Sequence, residues 1–246
     1  MRVTFLGTNG WYDSETGNTV CTMIETKERF IILDAGNGIH KMDRFMTSVK
    51  PVDMFLSHFH LDHTEGLHIL VKFLLLPELH IYGQPGTKEM LDRLVNLPFT
   101  VPISDLPYPA DVTELAEGVH DLGYKVECRP LVHASPCFGY RFEVGGKVIA
   151  YTTDTGPCDN ILMLAHGADL LIAECAFRPG ETSKSWPHLN PETAIGLAKQ
   201  AGCKKLALTH FDAARWRDLD SRRAIEKMKE DFPGLVIAFD GGHLDI

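Results

Sequence analysis

Residues 57–63 read Ser57-His58-Phe59-His60-Leu61-Asp62-His63 and place four potential metal ligands within six consecutive positions. The segment follows an apolar run at 52–56, typical of a buried strand, and precedes a helical apolar pattern at 67–75. His58 and His60 point the same way on an extended backbone, whereas Asp62 and His63 follow at the turn. One metal would be crowded by all four side chains, so the pattern predicts two adjacent metals.

Three further candidate ligands also follow predicted strands: His133, Asp154 and His210. A lone histidine is usually a surface or core residue, but seven candidates in one repeated context favour a metal centre. Two divalent metals roughly 3.5–4 Å apart can share a bridging hydroxide and a bridging carboxylate. We expect Asp154 to bridge one metal held by His58, His60 and His133 and a second held by Asp62, His63 and His210. These ligands suit two zinc ions, with manganese or iron as alternatives.

Other polar residues near predicted strand ends allow two interpretations each. Glu174 ends a buried strand and His188 precedes a helix, so the pair could handle the proton of a leaving group; His188 could instead only mark the entry to the helix. Asp34 suits a hydrogen-bonded carboxylate beside the metals, with direct ligation as the alternative. Trp11 and Tyr12, in a loop after the first strand, form either a pocket wall or a loop anchor.

Length and composition indicate one globular domain over residues 1–246, without an obvious linker. The net charge of −9 disfavours a broad nucleic-acid surface, because phosphate binding draws on clustered Lys and Arg. No apolar run matches a membrane span, and the N-terminus lacks the pattern of a secretory signal. The six cysteines are scattered, without a CxxC pair, which indicates reduced thiols in a cytoplasmic protein.

The order of elements predicts a mixed α/β (α+β) fold. Strands dominate the first and middle thirds, and strands alternate with helices afterwards. Helices are predicted at 191–201, with Asn190 as the cap and Gly202 as the stop, and at 217–231. A strand at 235–239 is predicted to be the last. Because the helices can cover two sheets, we expect a four-layer αββα sandwich.

The HxHxDH motif, followed in order by His133, Asp154 and His210, resembles the metallo-β-lactamase superfamily of dinuclear hydrolases. Within it, residues 151–155 (Tyr-Thr-Thr-Asp-Thr) and 208–211 (Leu-Thr-His-Phe) are similar to motifs of ribonuclease Z and its phosphodiesterase relatives. In that branch the residue matching Asp62 assists the attacking water, and the residue matching His188 protonates the leaving oxygen. The resemblance therefore implies catalytic roles for Asp62 and His188, and it also implies a homodimer.

The chain departs from ribonuclease Z in the segment that carries the tRNA-gripping arm of that family. His133 and Asp154 lie only 154 − 133 = 21 positions apart, and one predicted hairpin fills the interval. The loop after Leu6-Gly7-Thr8 also lacks the basic segment of that family. Residues 211–216 carry one residue more than the usual run, although Arg215 remains a candidate for binding phosphate. We therefore expect a small-molecule substrate and not tRNA.

These features favour a dinuclear hydrolase that cleaves a small phosphodiester, such as a cyclic nucleotide or cyclic phosphate, by attack of a metal-bridging hydroxide. A hydrolase of a thioester, lactone or β-lactam on the same metals is the alternative. A metal-stabilised module that binds a ligand without turnover is a third hypothesis, disfavoured by the full set of seven ligands. An oxygen-reducing di-iron centre is disfavoured because related centres carry Glu at the position of His60.

Overall fold

The computed structural model describes residues 1–246 and contains two large sheets. In chain order the strands are β1 (Arg2–Gly7), β2 (Asn9–Gly10), β3 (Cys21–Glu25), β4 (Phe30–Leu33), β5 (Val52–Phe55), β6 (Leu79–Gly83), β7 (Ala110–Glu114), β8 (Gly118–Asp121), β9 (Lys125–Pro130), β10 (Phe138–Val144), β11 (Lys147–Thr152), β12 (Leu170–Glu174), β13 (Leu206–Thr209), β14 (Phe211–Asp212), β15 (Leu235–Ile237) and β16 (His243–Asp245).

The helices are short and lie between the strands. The α-helices are α1 (Met42–Phe45), α2 (Leu61–Thr64), α3 (Thr87–Leu94), α4 (Asp159–Ala165), α5 (Pro191–Ala201) and α6 (Leu219–Arg223), and 3-10 helices cover Asn37–Lys41, Glu65–Lys72, Ile103–Asp105 and Ala224–Glu230. Helix α5 has the predicted bounds: Asn190 accepts a hydrogen bond from the Thr193 amide, and Gly202 ends the helix at φ 71°. No helix combines the length and apolar character needed to cross a bilayer.

Each large sheet contains seven strands, in the orders β16-β1-β3-β4-β5-β6-β7 and β15-β13-β12-β11-β10-β9-β8. Strands β4 to β7 run parallel in the first sheet, and β11, β12, β13 and β15 run parallel in the second. Parallel strands bring their carboxyl ends to one edge of a sheet, which is where open α/β sheets place their sites. The segments after β5, β11, β12 and β13 carry most of the predicted site residues.

Buried side chains form three apolar layers. One lies between the two sheets, and one lies between each sheet and the helices outside it. In β4, Ile31 and Leu33 point into the layer between the sheets, whereas Phe30 and Ile32 point into the layer beneath the outer helices. This alternation follows from the two-residue period of a strand, and burial on both faces explains why β4 is apolar throughout. Helices α4 and α5 cover the outer face of the second sheet. The predicted αββα sandwich is therefore confirmed.

Three predicted elements differ from the structure. The helical pattern at 67–75 falls in the 3-10 helix Glu65–Lys72, which ends earlier. The helix predicted at 217–231 divides into α6, capped by Asp218, and a 3-10 helix at Ala224–Glu230. The strand at 235–239 is not the last, because β16 pairs antiparallel with β1 at the opposite end of the chain. Three residues at an edge carry too short a pattern to be recognised without their partner strand. All six cysteines are free, and five of them are buried.

Candidate metal centre

The seven predicted ligands come together at the strand ends, in two groups around Asp154. The ligand atoms of His58, His60, His133 and Asp154 lie within 4.8 Å of one another, as do those of Asp62, His63 and His210. Oδ1 of Asp154 lies 3.0 Å from Nε2 of His210 and 3.3 Å from Nε2 of His63. Oδ2 lies 3.7 Å from Nε2 of His58 and 3.9 Å from Nε2 of His133. Asp154 therefore presents a different oxygen to each group.

The spacing of these atoms fits divalent ions. Ligand atoms bound tetrahedrally at 2.0–2.1 Å from one zinc are about 3.3–3.4 Å apart. The observed separations are 3.3 Å between His133 Nε2 and His60 Nδ1, and 3.3 Å between His210 Nε2 and Asp62 Oδ2. Nε2 of His58 is buried without a hydrogen-bond partner, although buried polar atoms normally have one. The cluster is thus able to bind metal ions.

The charges within the cluster shift the pKa values of its histidines in opposite directions. Burial opposes ionisation of Asp154, but His210 and His63 outweigh burial and hold the pKa of this carboxyl well below its usual range. Burial also opposes protonation of His210, yet contact with Asp154 raises the pKa of His210 to about 10. Burial and the neighbouring His63 instead lower the pKa of His58 well below its usual value. Metals bind carboxylates and neutral imidazoles, so Asp154 and His58 favour the forms that bind a metal ion, whereas an ion bound at His210 would displace its proton.

Asp34 orients the histidine segment without joining either ligand group. Its Oδ2 accepts hydrogen bonds from Nδ1 of His63 at 2.8 Å, the hydroxyl of Ser57 at 2.8 Å and the hydroxyl of Tyr151 at 2.6 Å. Its Oδ1 accepts from the Ser57 amide at 2.7 Å. A carboxylate of this kind sets the tautomer and direction of a metal-binding imidazole. The first of the two interpretations of Asp34 therefore matches its contacts.

The loop after β1 contacts Asp62 through backbone, which the sequence did not reveal. The amide of Trp11 donates to Oδ2 of Asp62 at 2.7 Å. Trp11 adopts φ 75°, which is uncommon for a residue other than glycine. A Cβ added at Gly10 would lie 2.5 Å from Cε1 of His210, so only glycine leaves room for that ring. The sequence singled out the Trp11 side chain as a candidate for a pocket wall, but no pattern indicated that the Trp11 backbone amide would donate to Asp62.

Arg222, in α6, supports the same loop, and the sequence pattern did not indicate this role either. Its guanidinium is fully buried and donates to Oδ1 of Asn9 at 2.6 Å and to the hydroxyl of Thr16 at 2.7 Å. It also packs over the ring of Phe211. Burial lowers the pKa of Arg222 to about 10, against the opposing charge of Asp240. Its position in the helix predicted at 217–231 gave no signal of this role.

His188 and Glu174 form a buried pair beside the cluster. Nδ1 of His188 donates to Oε1 of Glu174 at 2.7 Å, and this carboxylate also accepts from the amides of Thr155 at 2.7 Å and Ala176 at 3.0 Å. The His188 ring lies 5.7 Å from that of His133 and 6.1 Å from that of His210. Burial opposes protonation of His188, but Glu174 outweighs it and raises the pKa of His188.

A cavity of about 770 Å³ opens onto the cluster. Its walls include Trp11, Trp186, His188 and Arg215, together with ligand residues from both groups. Arg215 lies at the wall, but its guanidinium is paired with Glu181 at 3.0 Å and Asp212 at 3.1 Å, and it packs over Phe177. Any anion that binds Arg215 must therefore compete with two carboxylates.

Two seven-stranded sheets with a His/Asp cluster able to bind metal at their strand ends are the fold and site of a metal-dependent hydrolase of the metallo-β-lactamase type. The family model described as a beta-lactamase superfamily domain matches residues 29–211. The chain belongs to this superfamily.

Known proteins similar to this chain include a curated ribonuclease Z. The ribonuclease Z of Bacillus licheniformis is 28% identical, and the match covers 98% of this chain and 97% of that protein. Among solved structures, human tRNase Z, short form, superposes with a TM-score of 0.78 at 24% identity, over 100% of this chain and 99% of that one. The metallo-beta-lactamase fold protein YhfI from Bacillus subtilis superposes with a TM-score of 0.77 at 23% identity, over 99% of each chain. These structural likenesses establish the fold.

Proposed function

We propose that this hydrolase cleaves a small phosphodiester with two divalent metal ions, most simply zinc. His58, His60 and His133 would hold one ion, Asp62, His63 and His210 the other, and Asp154 would contribute one oxygen to each. Ions bound there would supply a water of lowered pKa and positive charge for the developing oxyanion. Asp62, fixed by the Trp11 amide, would also orient the attacking water. The separation of the two Asp154 oxygens between the two groups supports two ions.

The observation that carries the proposed reaction is the position of His188. Its Nδ1 is held by Glu174, so Nε2 is the atom left to hold a proton beside Asp154 and His210. The Glu174 carboxylate favours the imidazolium form that can give this proton away. A leaving alkoxide needs a proton, whereas a thiolate, with a pKa of about 8.5 in its free form, departs more readily without one. The pair therefore favours an oxygen leaving group over a thioester.

Similarity to ribonuclease Z favours phosphorus over a carbonyl carbon as the reacting centre, because that relative is named for cleaving RNA. Two features favour a smaller substrate here. The alignment with this relative spans 305 positions, more than the 246 residues of the chain, so the relative contains insertions that the chain lacks. The interval between His133 and Asp154 is filled by β10, β11 and their turn, without space for an arm. The net charge of −9 points the same way.

The test begins with metal analysis of the purified protein, which should find about two ions per chain. The metal-loaded protein is then assayed with a 2′,3′-cyclic nucleotide, bis(p-nitrophenyl) phosphate, a 3′-extended tRNA, a thioester and a lactone. We expect turnover of the phosphodiesters and little of the tRNA. Fast thioester or lactone hydrolysis with negligible phosphodiester cleavage would overturn the proposal, as would preferred cleavage of the tRNA.

Replacing His188 separates its role as a proton donor from a structural one. His188→Ala should lower kcat on the cyclic nucleotide, whose leaving group is an alkoxide, by about 10²- to 10⁴-fold. The loss should be much smaller with bis(p-nitrophenyl) phosphate, because p-nitrophenolate leaves without a proton. His166→Ala, which changes an exposed histidine just after α4, is the matched control and should change neither rate. An equal loss on both substrates would remove the proton-transfer role.

A further inference from the structure

Two tryptophans at the wall of the metal-centre cavity are largely exposed to solvent. Trp11 is 68% exposed and Trp186 is 48% exposed, whereas the third tryptophan, Trp216, is 1% exposed in the core. Burying an aromatic side chain of this size is worth a large hydrophobic free energy. Side chains left open at the wall of a cavity are therefore available to a ligand that covers them.

Each tryptophan lies beside a different one of the two ligand groups. The Trp11 amide donates to Asp62, and the Trp11 ring rests edge-on against Tyr12, with 5.3 Å between centroids. The Trp186 ring lies 6.1 Å from the ring of His133, which belongs to the other ligand group, and 5.6 Å from the ring of His188. A group that stacks on either indole would thus lie next to the position where the phosphodiester reacts.

The rest of the cavity wall restricts what that group can be. Leu61 and Ala176 are the other apolar residues in the wall, whereas Glu65, Asp212 and Arg215 are charged. An acyl chain would leave these charged groups facing apolar atoms, which is unfavourable. A planar heteroaromatic ring places its faces on indole and its polar edge against charged or hydrogen-bonding side chains.

We propose that Trp11 and Trp186 form a stacking subsite for the nucleobase of the substrate, so that the enzyme acts on nucleoside phosphodiesters in preference to base-free ones. This inference rests on the proposed phosphodiesterase function and narrows its substrate class. Stacking of one base on an aromatic side chain is worth about 5- to 140-fold in affinity. The subsite recognises an aromatic face, so we expect little discrimination among the bases.

The test compares ligands that carry a base with ligands that lack one. Isothermal titration of the metal-loaded protein measures the Kd of thymidine 5′-monophosphate against that of 2-deoxyribose 5-phosphate. Assays measure kcat/KM for thymidine 5′-(p-nitrophenyl phosphate) against methyl p-nitrophenyl phosphate, which share one leaving group. The wild type should favour the nucleoside in both comparisons. Trp186→Ala should reduce this preference by about 5- to 140-fold and Trp11→Ala by a comparable factor, whereas Trp186→Phe should retain most of it.

The ratio between the two ligands separates stacking from general damage to the site, because a distorted metal centre lowers both members of a pair together. Phe99→Ala, which removes an aromatic ring that is 77% exposed and outside the cavity wall, should leave both ratios unchanged. Equal binding and turnover of the two ligands by the wild type would overturn the subsite while the phosphodiesterase function stands. If neither phosphodiester is hydrolysed, the proposed function fails, and the two Kd values still decide whether the tryptophans bind a base.

Discussion

Nδ1 of His63 donates a hydrogen bond of 2.8 Å to Oδ2 of Asp34, which follows β4 directly. Both side chains are fully buried, and His63 also faces Asp154 through its other ring nitrogen. The carboxylate that orients this ring thus follows β4, the strand next to the one that leads into the histidine segment. The direction of a candidate ligand is set from outside the metal cluster.

Asp34→Asn should weaken metal binding by about 10- to 100-fold, the usual effect of removing such an orienting partner. The amide nitrogen cannot accept a hydrogen bond, so at least one of the donors from Ser57, His63 and Tyr151 loses its acceptor. Competition with a chromogenic chelator measures the affinity. Asp53→Asn is the matched control: it changes another fully buried carboxylate, held by Arg29 and Tyr124, away from the cluster. Equal metal affinities for the two variants would contradict this role for Asp34.

Glu174→Gln should lower kcat on a cyclic nucleotide, because the amide no longer stabilises the protonated form of His188. The two residues act as one unit, so their effects should not add. The double variant with His188→Ala should therefore lose no more activity than His188→Ala alone, within a few-fold. A double variant that multiplies the two losses would show that Glu174 acts independently of His188.

Gly10→Ala should disrupt the group that contains His210. Its Cβ would lie 2.5 Å from Cε1 and 2.8 Å from both nitrogens of the His210 ring, and overpacking of this kind typically costs about 1–3 kcal/mol. We expect fewer bound metal ions per chain and a large loss of activity. Gly196→Ala, in α5 with no atom within 4 Å of the new Cβ, should instead raise the free energy of unfolding by about 0.4–1 kcal/mol. Full metal content in Gly10→Ala would refute this packing argument.

Arg222→Met should reduce the free energy of unfolding by about 1–3 kcal/mol, because it removes the buried donor to Asn9 and Thr16. It should also weaken metal binding, since the loop these residues support carries the Trp11 amide to Asp62. Urea denaturation and chelator competition measure the two effects. Arg223→Met, which breaks an exposed ion pair with Asp220, should change stability by less than about 1 kcal/mol. A stable Arg222→Met variant with unchanged metal affinity would count against the support role.

Local sequence patterns predicted the elements whose signals lie close together in the chain. Helix α5 was predicted with its bounds because Asn190, Pro191 and Gly202 supply its cap, first turn and stop within one short segment. The sandwich was predicted because strands dominate the first two thirds of the chain and the helices among the later strands can cover two sheets. Strand β16 was missed because its partner, β1, lies at the other end of the chain.

The candidate site shows the same difference between local sequence patterns and contacts that only folding creates. The sequence by itself determined which residues could act as ligands, because His and Asp side chains follow strands whose carboxyl ends must meet at one edge. Only the tertiary structure decided what these side chains contact. Asp154 presents a different oxygen to each group, and Glu174 accepts a hydrogen bond from His188. The Trp11 amide donates to Asp62, and Arg215 is paired with Glu181 and Asp212. Several of these contacts join residues far apart in the chain, and each requires two atoms to lie within hydrogen-bonding or ion-pairing distance. Such distances are set by the packing of two sheets and by no local pattern of residues.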